Sequence, residues 1–171
     1  MSVQRLNHAV LYVREVERSV RFYGEVLGFR PVNQFPGAAF LQAAGSNNDH
    51  DLGLFEVGTE AADSAAGKGT VGLYHLAWEV DTLAELQRIE GALRRAGALV
   101  GASDHNTTKA LYARDPDGLE FEVCWLLPAA LITDEVRARG AGTRPLDLES
   151  EIASHGANTI GGIGISSPGA G

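Results

Sequence analysis

The sequence predicts an α+β fold: two paired βαβββ modules that form a curled mixed sheet. Three observations point to it. First, the segment LNHAVLYVREVERSVRFYGEVLGFRPV (residues 6–32) repeats the order of patterns found in LYHLAWEVDTLAELQRIEGALRRAGALV (residues 73–100). Second, each copy opens on an alternating apolar run that carries one His, and alternation marks a half-buried strand. Third, each copy then passes through a polar turn into apolar residues at helical spacing, a Gly and a further apolar run. The repeat is two-fold only, which argues for duplication and against a solenoid.

The elements follow in order. Side chains alternate along a strand, so the first strand sets Leu6, His8, Val10 and Tyr12 on one face. Val16, Val20, Phe22, Tyr23, Val26 and Leu27 recur at helical intervals, and Gly28 supplies the left-handed residue a helix end favours. Strand-like runs follow at 29–32, 38–44 and 52–57, completing a first module at residues 1–58. Residues 59–71 lie in GTEAADSAAGKGTVG, a polar, Gly-rich surface linker. The second module spans residues 72–128. Its first strand sets Leu73, His75, Ala77 and Glu79 on one face and Tyr74, Leu76, Trp78 and Val80 on the helix side. Leu83, Leu86, Ile89 and Leu93 mark its helix, and Gly97 marks the helix end. Strand-like runs follow at 98–102, 110–113 and 119–125, with Asp115, Pro116, Asp117 and Gly118 forming a turn before the last. Residues 129–171 are a C-terminal extension with one short helix in LLPAALITDEVRARGAG and a mobile Gly- and Ser-rich end. His155, in that extension, is read as having no chemical role.

The bulk numbers narrow the function. At 44% hydrophobic and 21% charged residues, the chain has the profile of a soluble globular protein with material for a sizeable core. No run approaches a membrane span, and MSVQRLNHAVLYV lacks the pattern of a signal peptide. The single cysteine, Cys124, excludes an intrachain disulfide and suits a reducing cytoplasm. A net charge of −8 argues against a general nucleic-acid role.

One stretch, LYARDPDGLEFEVCWLLP, places Glu120 and Glu122 within an apolar run. Alternation puts Leu119, Phe121, Val123 and Trp125 on the core face and Glu120, Glu122 and Cys124 on the other. A carboxylate is costly to bury without compensation. His8 and His75 occupy corresponding points of the two repeats, and Glu122 closes the second. Two imidazoles and one carboxylate make a facial triad for a divalent metal with open positions, and the metal supplies the compensating charge. Taken singly, each of the three reads as a packed or solvated side chain; their matched placement favours ligands. Glu56 is the internal counterpart of Glu122, lying 48 residues after His8 where Glu122 lies 47 after His75.

These residues resemble the vicinal oxygen chelate superfamily, which includes glyoxalase I, extradiol ring-cleaving dioxygenases, and fosfomycin and bleomycin resistance proteins. The resemblance covers residues 3–128 and rests on LNHAVLYV, RSVRFYGEVLGF, YHLAWEV and DPDGLEFEV. It implies paired βαβββ modules making a cup around a metal, with His8, His75 and Glu122 as ligands. YHLAWEVDTLAEL and LEFEVCW look more like single-domain extradiol dioxygenases than like glyoxalase I. Tyr112, ten residues before Glu122, falls on a substrate-contacting Tyr of that group. His50, in NNDHDLGLF, and His105, in SDHNTTKALY, fall on its auxiliary histidines, with Asn106 where a Gly is usual. The implied activity is Fe(II)-dependent, catechol 2,3-type ring cleavage, with Mn(II), Ni(II) or Zn(II) as alternative metals. The implied partners are a small aromatic diol and dioxygen, and a homodimer suits the fold. A glyoxalase-type isomerase or lyase would recruit Glu56 as a second carboxylate. A drug- or metabolite-binding resistance protein would lack the triad.

Overall fold

The computed structural model describes residues 2–3 and 5–162. The chain divides into two compact units. The first runs to residue 65 and takes in the turn 115–118; the second holds residues 66–114 and the chain from 119 onward.

In the first unit, β1 (Ala9–Val13), α1 (Val16–Leu27), β2 (Arg30–Phe35), β3 (Ala38–Gln42) and β4 (Leu52–Glu56) reproduce the expected βαβββ order. Its sheet runs β1-β4-β3-β2, with β1 parallel to β4 and the other pairs antiparallel. Leu11 and Val13 of β1 are buried while Val10 and Tyr12 are exposed, as alternation requires. The Glu15 side chain makes no cap at the start of α1. The Glu56 carboxylate does so instead, accepting from Val16 N–H at 3.1 Å, where the helix dipole favours negative charge. Gly28 ends the helix at φ 74°, its N–H bonding to the Gly24 carbonyl. The buried stripe of α1 is Val16, Ser19, Tyr23 and Val26. Tyr23 Oη donates to Asp115 of the 115–118 turn at 3.1 Å, within this unit. Leu41, Leu52 and Leu54 of the sheet are fully buried in its core.

The second unit holds β5 (Leu76–Glu79), α2 (Leu83–Arg95), β6 (Leu99–Asp104), β7 (Thr108–Arg114) and β8 (Glu120–Leu126). Here β5 runs parallel to β8, and the other strand pairs of this sheet are antiparallel. The Thr82 hydroxyl accepts from Glu85 N–H at 3.2 Å, the first half of a Thr-x-x-Glu capping box. From α2, Leu83, Leu86, Ile89, Ala92 and Leu93 pack inward. From β8, Phe121, Val123 and Trp125 are buried, as the alternation predicts. The sheet carries a fifth strand, β9 (Arg144–Pro145), on the outer edge of β6, giving the order β5-β8-β7-β6-β9. Neither sheet closes into a barrel, and the α+β architecture is as expected.

Two expectations change. Both opening strands start later than the alternation suggests, at Ala9 and Leu76, so His8 and His75 sit just ahead of them. Tyr74 is accordingly outside the strand and 72% exposed, not turned to the helix side. The extension is also more ordered than one short helix. After a 3-10 turn at Ala129–Leu131 come α3 (Asp134–Arg139), β9 and α4 (Leu148–His155). A two-residue strand has no periodicity to read; its partner β6 specifies it. The Gly- and Ser-rich end from residue 163 lies outside the described residues. No helix is long and apolar enough to cross a membrane among the described residues.

Candidate metal centre

The two glutamates of β8 part company. Glu120 lies opposite Arg114 in the β7–β8 register and pairs with it at 3.2 Å. Glu122 sits mid-sheet, opposite Ala77 of β5 and Tyr112 of β7. Its Oε2 stands 3.3 Å from His75 Nε2, and its side chain is only 13% exposed. The other ring nitrogen of His75, Nδ1, is buried without a hydrogen-bond partner among the described residues. A lone pair on an imidazole nitrogen facing a carboxylate oxygen needs either a proton or a cation between them. The donor set therefore fits a divalent metal that takes nitrogen and oxygen ligands.

In the first unit, His8 Nδ1 lies 2.8 Å from Asn7 Oδ1. An amide oxygen only accepts, so Nδ1 carries the proton and the lone pair is on Nε2. That is the tautomer, and the kind of outer partner, a metal-binding His uses. His50 packs its ring against His8 with centroids 4.5 Å apart, and against Phe40 at 4.9 Å. Its Nδ1 is 3.3 Å from Asp49 Oδ2.

The remaining expected residues meet in the second unit. Tyr112 Oη lies 2.8 Å from His105 Nε2, and the Tyr112 ring is 6.1 Å from that of His75. Burial pushes the Tyr112 phenol above its ordinary value, with the nearby Glu122 carboxylate adding to the effect. The phenol therefore stays protonated and donates. His105 Nδ1 faces the Gly142 carbonyl at 3.2 Å and the Thr143 hydroxyl at 3.3 Å.

So the structure gathers His75, Glu122, Tyr112 and His105 in one unit, and His8 with His50 in the other. Among the described residues no three His, Cys, Asp or Glu side chains stand together as a ready-made ligand set. Asn7 was legible as a neighbour of His8 in LNHAV but carried no signal of its own. Gly142 and Thr143 reach His105 from more than thirty-five residues away in sequence, and local pattern holds no trace of that.

Residues 5–123 match the family model described as the Glyoxalase/Bleomycin resistance protein/Dioxygenase superfamily. The chain is 31% identical over 118 residues to a catechol-2,3-dioxygenase of Bacillus subtilis, covering 69% of this chain and 40% of that protein's length. It is 32% identical over 128 residues to a lactoylglutathione lyase of Neisseria meningitidis, covering 69% of this chain and 88% of that one. Among solved structures, a glyoxylase/bleomycin resistance protein/dioxygenase domain from Frankia sp. EAN1pec superposes with a TM-score of 0.59 at 24% identity. That match covers 72% of this chain and 98% of the other, and it is a likeness of fold. Together with the duplicated βαβββ units, the match across residues 5–123 shows that this chain belongs to the glyoxalase/bleomycin resistance/dioxygenase superfamily, the vicinal oxygen chelate proteins.

Proposed function

We propose that the protein is a metal-dependent extradiol dioxygenase that opens the ring of a catechol-like diol, with His8, His75 and Glu122 holding one divalent ion, Fe(II) by preference. The observation that carries this reading is the Tyr112–His105 contact at 2.8 Å, with Tyr112 directly opposite Glu122 in the sheet. An acid–base pair adjoining a candidate ligand suits a reaction that must remove a proton from a bound hydroxyl. A divalent iron would supply Lewis-acid activation of the diol hydroxyls and positions for diol and dioxygen.

The protein's own groups do the rest. The Tyr112 oxygen accepts from a substrate hydroxyl while its own proton moves to His105 Nε2. That nitrogen can later return the proton, as a positioned histidine does in acid–base catalysis. Tyr112 also orients the substrate ring. His50 is the second candidate proton carrier, and its contact with His8 steadies that ring. Glu56 is engaged at the N-terminus of α1, which supports a ligand set of three residues. A glyoxalase-type set would call on Glu56 as well.

The test is anaerobic loading with Fe(II), then a panel of catechols with oxygen uptake and visible absorbance followed together. The expected result is oxygen consumption matched by a yellow ring-opened product. No oxygen uptake across the panel, alongside isomerisation of a thiol adduct, would replace this reading with a glyoxalase-like one.

A further inference from the structure

The chain beyond the superfamily match is tied to one short turn. That turn, residues 105–107 between β6 and β7, carries His105. Three contacts from the extension reach this turn or the strand ends that flank it. β9 pairs with the end of β6, setting Arg144 opposite Asp104. The Asn106 amide donates to the carbonyls of Val136 at 2.7 Å and Gly140 at 3.3 Å. Lys109, 4% exposed at its side chain, bridges Asp104 at 2.6 Å and Glu151 of α4 at 3.1 Å. Asn106 takes a left-handed conformation, φ 75°, and its N–H donates to Asp104 Oδ1 at 2.7 Å. A strained non-glycine backbone held by such bonds marks a turn whose exact shape matters.

At the centre of these ties the Gly142 carbonyl faces His105 Nδ1. A carbonyl oxygen has no proton to give, so a lone pair on Nδ1 would oppose it. The Thr143 hydroxyl, also near Nδ1, could donate or accept. We propose that the C-terminal extension is a working part of the candidate site: the Gly142 carbonyl fixes His105 in its Nδ1–H tautomer, so that Nε2 presents a lone pair to the Tyr112 hydroxyl. Gly142 is thus a positioning group for His105, and Asn106 holds Gly142 in place through the Val136 and Gly140 carbonyls. The catalytic significance rests on the dioxygenase reading above; the tautomer does not. In the opposite tautomer Nε2–H would point at Tyr112, and His105 could not take the phenol proton. A general base in the wrong tautomer is disabled even with its geometry intact.

The experiment uses full-length protein with ring-15N-labelled histidine at about pH 8.5, roughly two units above the ordinary imidazole pKa. Long-range proton–nitrogen correlations identify which nitrogen is protonated, and His105→Gln assigns the signals. The expected result is protonated Nδ1 and unprotonated Nε2 at His105. Asn106→Gly, whose backbone suits glycine, should lose the exclusive Nδ1–H signature, with the Nε2–H form appearing. Thr143→Val should leave the tautomer unchanged. An Nε2–H tautomer in the unmodified protein overturns the proposal without recourse to any variant. So does an unchanged tautomer in folded Asn106→Gly, or a switch in Thr143→Val, which would assign the role to the hydroxyl. The spectra need neither metal nor substrate, so failure to turn over catechols would sink the dioxygenase reading and leave this result standing.

Discussion

Tyr112 and Cys124 show how one carboxylate organises its neighbours. Both are pushed toward their neutral forms first by burial and then by the charge of Glu122. For Tyr112 this keeps a proton on the phenol for His105. Tyr112→Phe should lower turnover about 100-fold, the lower range for loss of a positioned acid–base group, while iron content stays at the level of the unmodified protein. Equal loss of iron would show that Tyr112 supports the ligands themselves. For Cys124 the thiol rises to about 12. The thiolate is the reactive form, so Cys124 should resist iodoacetamide at pH 8 in the folded protein and react after denaturation, read by mass spectrometry. Rapid labelling of the folded chain would contradict its burial.

At the level of elements, the decisive contact is the ion cluster joining β7 to α4. Lys109 holds Asp104 and Glu151, and His155 Nε2 lies 3.2 Å from the same Glu151 oxygen. Replacing Lys109 by Met removes the ammonium shared by two carboxylates that are at most one-fifth exposed. The expected loss is about 3 kcal/mol of stability in urea unfolding, the low end for removing one partner of a buried pair. Burial alone would raise the Asp104 carboxyl, but the Lys109 ammonium, the Asn106 N–H and the nearby Arg144 outweigh it, and the net shift is downward. A carboxyl lowered by folding stabilises above its unfolded pKa, about 3.9, and that contribution fades as pH falls through the lower folded value. Acid unfolding below about pH 4 should therefore carry an Asp104 component that Lys109→Met largely removes. The Thr82 cap of α2 is a simpler case: Thr82→Ala should cost about 1 kcal/mol. That cap was visible in the sequence as Thr followed by Glu85. The Lys109 cluster was not, because Glu151 lies far along the chain and no periodicity links it to β7.

For the whole molecule, duplication was the most legible property. Alternation in β1 and β8, and the helical spacing of Leu83, Leu86, Ile89 and Leu93, record which side of each element is buried. Order and type of the elements in the two βαβββ units could be read from that record alone. Strand starts could not, since pairing decides them: His8 and His75 precede the strands they were expected to lie in. Of the candidate site, the residue types at 75, 112 and 122 were legible through the repeat and the family resemblance. The contact between His105 and the Gly142 carbonyl was not, because that carbonyl lies more than thirty residues away in sequence. The functional account depends on one claim, that His8, His75 and Glu122 serve a common ion. Titration of the metal-free protein with Fe(II) under anaerobic conditions, followed by calorimetry and elemental analysis, tests it most directly. The account predicts a single tight site in the unmodified chain, weakened at least about 100-fold in each of His8→Ala, His75→Ala and Glu122→Ala, with Glu56→Gln unchanged. Undiminished binding in any of the three alanine variants would contradict it.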